Sequence, residues 1–326
     1  MVAFWRPDVS PANEPHPVKM VRGQLVDTMR GNRIIPLKMY YPMTEGLTSL
    51  PMIVWSHGLG GSADGAAFLS RFFTAQGYVV LHVQHQGTDS SLWEGKPGHP
   101  WDIIRAQVIP RSATLARFYD VPYVLDNLDE FLTHHPDIAS RIDRNNIAMS
   151  GHSFGAMTTQ VMLGQEYPDE QGILQDYSDP RFKAGILYSP VPTFYLKGTD
   201  NVYGAASNTR GLYSAINRPL FHMTGTDDSS PVEGFEYTER LAVYDDSNKA
   251  EKMLLVLKDG DHMIYNGSRG KLGQNPNREK HETIIKISAL AYWDAKLKGD
   301  AAAQDWLTNG VFATYLNGDG EFRFEP

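Results

Sequence analysis

The chain has 326 residues, 41% hydrophobic and 21% charged, enough apolar content for a sizeable core in one large or two small domains. Its 30 Lys and Arg against 38 Asp and Glu give a net charge of -8, which with no basic cluster argues against a nucleic-acid partner. Having no cysteine, it cannot form disulfides, use a thiolate nucleophile or bind zinc through Cys, and no apolar run approaches a membrane span.

Residues 1–17, with Pro7, Pro11, Pro15 and Pro17, read as an extended arm without the apolar segment of a signal peptide. The location stays open: cytoplasmic if the sequence is complete, secreted or periplasmic if an export signal was removed. Lys19 to Met29 and Arg33 to Tyr41 read as strands of a hairpin turning at Gly31-Asn32. Pro51 to Ser56 is a short apolar run typical of a buried strand, and it ends in His57-Gly58-Leu59-Gly60-Gly61. A helix over 64–76 and a strand over Tyr78 to Val83 follow. Residues 86–112, rich in Gly and Pro and carrying Trp93 and Trp101, read as a long loop or small excursion over the sheet edge, a length that is usually functional. Asp120 reads as an N-cap with Pro122 in the first turn, and Val121, Val124, Leu125, Leu128 and Leu132 give that helix its apolar spacing.

Asn146 to Met157 contains G-x-S-x-G centred on Ser153, with an apolar lead-in and a helix-compatible exit closed by Gly164. Strand, Gly-flanked Ser, helix is the context of a nucleophile elbow. Further strands are expected over Phe182 to Tyr188, Pro219 to Thr224 and Lys252 to Leu257. An irregular excursion over 193–217 lies among them, with a helix over 233–245. A polar loop at 266–277 leads to a helix from about Glu279 to Leu297 and a short one at 301–308, before a tail that suits a strand. Strands alternate with helices and no linker splits the chain. The expected fold is therefore α/β: an arm over 1–17, then one domain over 18–326 with a mostly parallel sheet of about eight strands and an antiparallel hairpin at its start.

In such a sheet the active site lies at the C-terminal strand ends. Four of them carry His57-Gly58-Leu59, Ser153, Asp227-Asp228 and His262, in the chain order oxyanion loop, Ser, Asp, His of α/β hydrolases. Ser153 is the candidate nucleophile, His262 its base and Asp228 the acid that orients His262, with Asp227 as the alternative acid. The backbone N–H groups of Phe154 and Leu59 are the candidate oxyanion donors. Asp261 reads as a turn residue and His152 as a local packing residue. Arg117 and Asp120 read either as an ion pair under the site or as a surface pair. His82, His85, His134 and His135 lack partners at metal-ligand spacing, so neither a metal nor any other cofactor is expected. The aromatic residues Trp93, Trp101, Phe194, Tyr195 and Tyr265 are candidate substrate-binding residues near the mouth.

Ser56-His57-Gly58-Leu59-Gly60-Gly61, Gly77-Tyr78-Val79-Val80 and Gly151-His152-Ser153-Phe154-Gly155-Ala156 together resemble platelet-activating-factor acetylhydrolases and their bacterial relatives among the dienelactone-hydrolase-like and polyester-hydrolase-like esterases. The resemblance spans about residues 20–300. It implies the α/β-hydrolase fold, the triad Ser153, Asp228 and His262, and Leu59 and Phe154 as oxyanion donors. Arg117-x-x-Asp120 also resembles a pair carried by these enzymes. The 85–101 and 193–217 regions depart from the family, so no relative's substrate carries over, and the missing cysteine speaks against dienelactone hydrolysis proper. The expected function is a serine-dependent carboxylic ester hydrolase acting on apolar or aromatic esters, small or polymeric. A polyester depolymerase, thioesterase or amidase on the same triad is the alternative, and a non-catalytic binding protein of this fold the less favoured one. Oligomeric state is left open.

Overall fold

The computed structural model describes residues 2–192, 210–267 and 274–326. In chain order the strands are β1 (Val18–Asp27), β2 (Arg33–Pro42), β3 (Leu50–Ser56), β4 (Val79–Val83), β5 (Ile142–His152), β6 (Tyr167–Pro168), β7 (Leu174–Gln175), β8 (Phe182–Tyr188), β9 (Leu220–Asp227), β10 (Lys252–Asp261) and β11 (Gly320–Glu325). The helices are α1 (Ala67–Ala75), α2 (Pro100–Arg105), α3 (Arg111–Asp126), α4 (Leu128–Leu132), α5 (Pro136–Ala139), α6 (Phe154–Met162), α7 (Arg210–Tyr213), α8 (Tyr237–Asp246), α9 (Arg278–Leu297), α10 (Ala301–Thr308) and α11 (Val311–Leu316).

Nine strands form one sheet in the order β1-β2-β4-β3-β5-β8-β9-β10-β11, while β6 and β7 make a separate small pair. The hairpin β1–β2 joins β4 antiparallel, β4 through β10 run parallel, and β11 closes the far edge antiparallel. This is the α/β-hydrolase fold. The inner strands are apolar throughout because helices cover both faces. Their period of two divides the core. Met52 and Val54 of β3 and Met149 of β5 face the layer holding α3, α4 and α6. Ile53 and Trp55 of β3 and Ala148 of β5 face the layer holding α1, α9, α10 and α11. On that second side the arm lies against α9 and α10: Trp5 Nε1 and Arg6 Nε donate to Asp294 Oδ2 at 3.0 and 3.1 Å, and Trp306 Nε1 donates to the Ala3 carbonyl at 2.9 Å.

One expectation is corrected. The helix after the long loop begins at Arg111, with Pro110 as its N-cap, and Pro122 lies in its interior. Asp120 does not cap it; its fully buried carboxylate is spent on Arg33 and His85, as described below. The 86–112 stretch is an excursion with short helical pieces. It contains a single turn of 3₁₀ helix over Ser90–Leu92 and the helix α2, which is capped by His99 and started by Pro100. Of the 193–217 excursion, residues 193–209 lie outside the described residues, as do 268–273 of the later loop.

Candidate active site

Ser153 sits between β5 and α6 with φ 56° and ψ -120°, a left-handed conformation costing about 1–3 kcal/mol for a non-glycine residue. Its N–H donates to the Tyr188 carbonyl of β8 at 2.8 Å, which anchors the turn to the sheet. The flanking glycines are explained by contact. A Cβ on Gly151 would lie 2.3 Å from the Gly155 carbonyl, and one on Gly155 would lie 1.9 Å from the Ser56 carbonyl oxygen. Strand, turn and helix thus pass at backbone contact, and the Ser153 side chain is left partly exposed at the C-terminal sheet edge.

His262 follows β10, and its Nδ1 lies 2.7 Å from Asp228 Oδ1. Asp228 is fully buried just past β9, and Thr224 Oγ1 donates to its other oxygen at 2.9 Å. Burial pushes the Asp228 carboxyl up, but the Arg240 guanidinium and His262 outweigh it and hold the group below its ordinary value. Asp227 is exposed and makes no contact with His262 among the described residues. Asp261 accepts from Met263 N–H at 2.7 Å and from Asn275 Nδ2 at 2.8 Å, the bonds of a turn residue. Ser153 and His262 line one cavity without a hydrogen bond between them, a looseness common before substrate tightens such sites.

The loop His57–Gly61 lies directly against the elbow; a Cβ on Gly58 would be 3.4 Å from Ser153 Cβ. It is pinned from several sides. The His57 ring accepts from His85 N–H at 3.0 Å through Nε2 and meets the Gly58 carbonyl at 2.7 Å through Nδ1. Gly60 N–H donates to the Thr88 carbonyl at 2.8 Å, and Trp93 Nε1 donates to the Gly60 carbonyl at 2.6 Å. Neither Leu59 N–H nor Phe154 N–H enters a backbone hydrogen bond among the described residues, so both are available to a ligand.

Beneath this loop lies a buried polar network. Arg117 and Asp120 are both fully buried, so the pair is not at the surface. They are joined through other side chains. Arg33 grips Asp120 with two 2.7 Å bonds, and His85 Nδ1 meets Asp120 Oδ2 at 3.0 Å. His85 Nε2 meets Ser56 Oγ at 3.0 Å, and Arg117 Nη2 donates to Ser56 Oγ at 2.9 Å. Arg117 also donates to Thr158 Oγ1, Thr88 Oγ1 and the His57 carbonyl, and it stacks 4.5 Å above the Phe154 ring. Burial lowers His85 to about 4, so its ring is neutral near neutral pH. For Asp120, burial acts upward, but the bonds from Arg33 and His85 prevail and bring it to about 2. A fork of donors therefore fixes both ends of the His57–Gly61 loop and the start of α6.

Two cavities meet at Ser153. One, of about 270 Å³, is lined by Trp93, Trp101, His262, Met263 and the glycines of the His57–Gly61 loop. The other, of about 60 Å³, is lined by Phe154, Val191, Ile109, Thr114 and Tyr167. Leu59, Ile104 and Val232 border both. Of the sequence-derived substrate residues, Trp93 and Trp101 thus face a cavity, whereas Tyr265 does not. Tyr265 is fully buried, 5.5 Å from the Tyr188 ring and 6.3 Å from the His152 ring, because it packs into the core. Phe194 and Tyr195 lie outside the described residues.

Two residues beside Ser153 and His262 make contacts that the sequence reading did not assign. His152 packs, as its place in the elbow suggests, but its Nε2 also meets the His262 carbonyl at 2.7 Å and its ring lies 4.6 Å from that of His262. Burial lowers it to about 3, so it stays neutral and donates that bond. Arg240 of α8 is 1% exposed and reaches both Asp228 Oδ1 and His262 Nδ1 at 3.1 Å. The one available signal was a lone Arg in a helix that directly follows the Asp-bearing strand end, which is too common to single out.

Residues 15–94 match the family model described as platelet-activating factor acetylhydrolase, isoform II. The chain is 22% identical over 246 residues to a platelet-activating factor acetylhydrolase of Canis lupus familiaris, an alignment covering 67% of this chain and 48% of that protein. It is 20% identical over 317 residues to the platelet-activating factor acetylhydrolase of Cavia porcellus, covering 87% and 66% respectively. The chain therefore spans between about half and two thirds of the length of these curated relatives.

Proposed function

Because the chain is an α/β hydrolase similar to platelet-activating factor acetylhydrolases, we propose that it is a serine-dependent carboxylic ester hydrolase. The observation that carries the reading is the buried 2.7 Å Asp228–His262 contact facing the same cavity as a strained, Gly-flanked Ser153. In this reading His262 takes the Ser153 Oγ proton as Oγ attacks the ester carbonyl. The N–H groups of Leu59 and Phe154 receive the oxyanion, and His262 passes the proton to the departing oxygen. Water then hydrolyses the acyl-enzyme by the same steps. No metal or organic cofactor enters.

The two cavities support an orientation for the substrate. The leaving oxygen must meet His262, and of the two cavities His262 lines only the larger, beside Trp93 and Trp101. The leaving alcohol belongs there, where two indole faces suit an aromatic or bulky apolar group. The acyl group belongs in the narrower cavity between Phe154, Val191 and Ile109. A polyester chain, a thioester or an amide remains the alternative acyl donor on the same residues.

A fluorophosphonate probe tests the reading: it should label Ser153 in the folded protein, and Ser153→Ala should lose both labelling and ester hydrolysis while unfolding at the same temperature. Hydrolysis retained by Ser153→Ala would sink it. A panel of p-nitrophenyl esters, amides, thioesters and polyester film separates the acyl donors.

A further inference from the structure

We propose that Arg240 is a positioning residue that sets the acid limit of catalysis by the Asp228–His262 pair. The inference rests on the serine-hydrolase reading above. Arg240 Nη2 lies 3.1 Å from Asp228 Oδ1 and 3.1 Å from His262 Nδ1, while His262 Nδ1 is 2.7 Å from that same Oδ1. A guanidinium offers only donors, so the two nitrogens do not bond each other; both donate to one carboxylate oxygen. The rest of the guanidinium is equally fixed. Nε donates to the Asp228 carbonyl at 2.9 Å, Nη1 donates to the carbonyls of Ser189 and Pro190 at 3.2 and 3.0 Å, and the Phe235 ring lies 4.8 Å away. At 1% exposure the side chain is nearly closed off from bulk solvent, and it borders the narrower cavity at Ser153.

Two consequences follow for the proton's path. First, Asp228 is clamped at its backbone and its side chain by one residue, so its aim at His262 Nδ1 does not depend on whether the imidazole is charged. Second, when the Ser153 Oγ–H bond breaks and an N–H bond forms at His262 Nε2, the new positive charge appears beside an existing one. In a triad without such a cation the carboxylate serves the imidazolium alone. Here its charge is already shared with Arg240, and removing that cation leaves the carboxylate to the imidazolium alone. The other groups facing the pair do not cancel this. His152 is a donor to the His262 carbonyl and stays neutral. Tyr265 is buried behind His152. Glu233 acts on the Arg240 guanidinium and accepts a hydrogen bond from Ser230 Oγ. Asp261 is turned toward Met263 N–H and Asn275.

The test is the rate at which a fluorophosphonate modifies Ser153, followed from about pH 4.5 to 9 in the wild type, Arg240→Lys, Arg240→Gln and Arg240→Met. Gln retains an amide donor for the backbone carbonyls, which keeps a neutral variant available should Met not fold. The acid limb is expected to move up by about 1 to 2 pH units in the neutral variants and by less than about half a unit in Arg240→Lys. Rates that fall by one factor at every pH, with the limb in place, would reduce Arg240 to a structural residue and overturn the proposal. A limb displaced as far by Lys as by Gln would overturn it too, since charge would not be the cause. A wild-type protein that takes no label at any pH would instead remove the serine-hydrolase reading on which the inference stands.

Discussion

Gly155→Ala probes the tightest point of the site. Its Cβ would lie 1.9 Å from the Ser56 carbonyl oxygen, 2.6 Å from the Ser56 carbonyl carbon and 2.9 Å from the His57 carbonyl oxygen. All three are backbone atoms, and none can give way alone. Ser56 pairs with Val83 of β4 and Gly151 of β5, and the His57 carbonyl is held by Arg117. Relief therefore requires α6 and β3 to separate by about 1 Å, a strain at the upper end of the overpacking range, about 3 kcal/mol. The same movement carries Ser153 and Phe154 away from Leu59. A displacement of about 1 Å at reacting groups costs on the order of 100-fold in rate. Urea unfolding followed by tryptophan fluorescence measures the first effect, and initial rates on p-nitrophenyl acetate the second. Gly211→Ala is the control: its Cβ meets nothing within 4 Å and it lies in α7, so stability should hold or rise by up to about 1 kcal/mol. A Gly155→Ala protein within about 1 kcal/mol and about threefold of wild type would refute the claim that backbone contact dictates glycine here.

The neighbouring aspartates should separate sharply. Asp228→Asn is expected to lower kcat by about 1000-fold or more, because the carboxylate that holds the His262 tautomer is lost, whereas Asp227→Asn at the exposed position should stay within about threefold; similar small effects from both would mean that the acid lies elsewhere. Asp120 makes a prediction about acid stability. Its folded carboxyl, at about 2 against an ordinary 3.8, contributes stability that is present above pH ~4 and lost as pH falls toward ~2. Asp120→Asn should therefore unfold about 2 kcal/mol more easily than wild type near pH 6, with the gap closing between pH ~4 and pH ~2. Urea midpoints at three pH values measure it, and a gap that is constant with pH would contradict the assigned cause.

Much of the fold was legible because the inner strands are short apolar runs, each ending in a chemically distinctive turn. Pro51 to Ser56, Phe182 to Tyr188 and Lys252 to Leu257 could hardly be anything but buried strands in a chain that alternates them with helices. The helix start at Arg111 was not legible. Asp120 with Pro122 looks like a cap and first turn, and only its tertiary partners, Arg30, Arg33 and His85, explain an aspartate in a buried helix interior. The same holds at the site. Ser153, Asp228 and His262 were proposed from strand-end order, which is a property of the chain. Arg240 acts through a crossing of α8 behind β9, which is a property of packing. Tyr265 shows the opposite error: it was read as one of the aromatics near the mouth, but the turn after β10 sends its ring into the core.

The bonds Asp120–His85–Ser56 repeat, atom type for atom type, the order expected of a catalytic relay: carboxylate to Nδ1, Nε2 to hydroxyl. A search by those three residue types alone, with no demand on the Ser–His distance, would return two hits in this molecule. What disqualifies the second is everything outside the template. Ser56 is sealed from solvent, its oxygen already receives a hydrogen bond from Arg117, and it ends an ordinary strand instead of a strained turn. The pair is a built-in calibration for such searches, in which access, a free lone pair and backbone conformation have to be scored alongside the three distances.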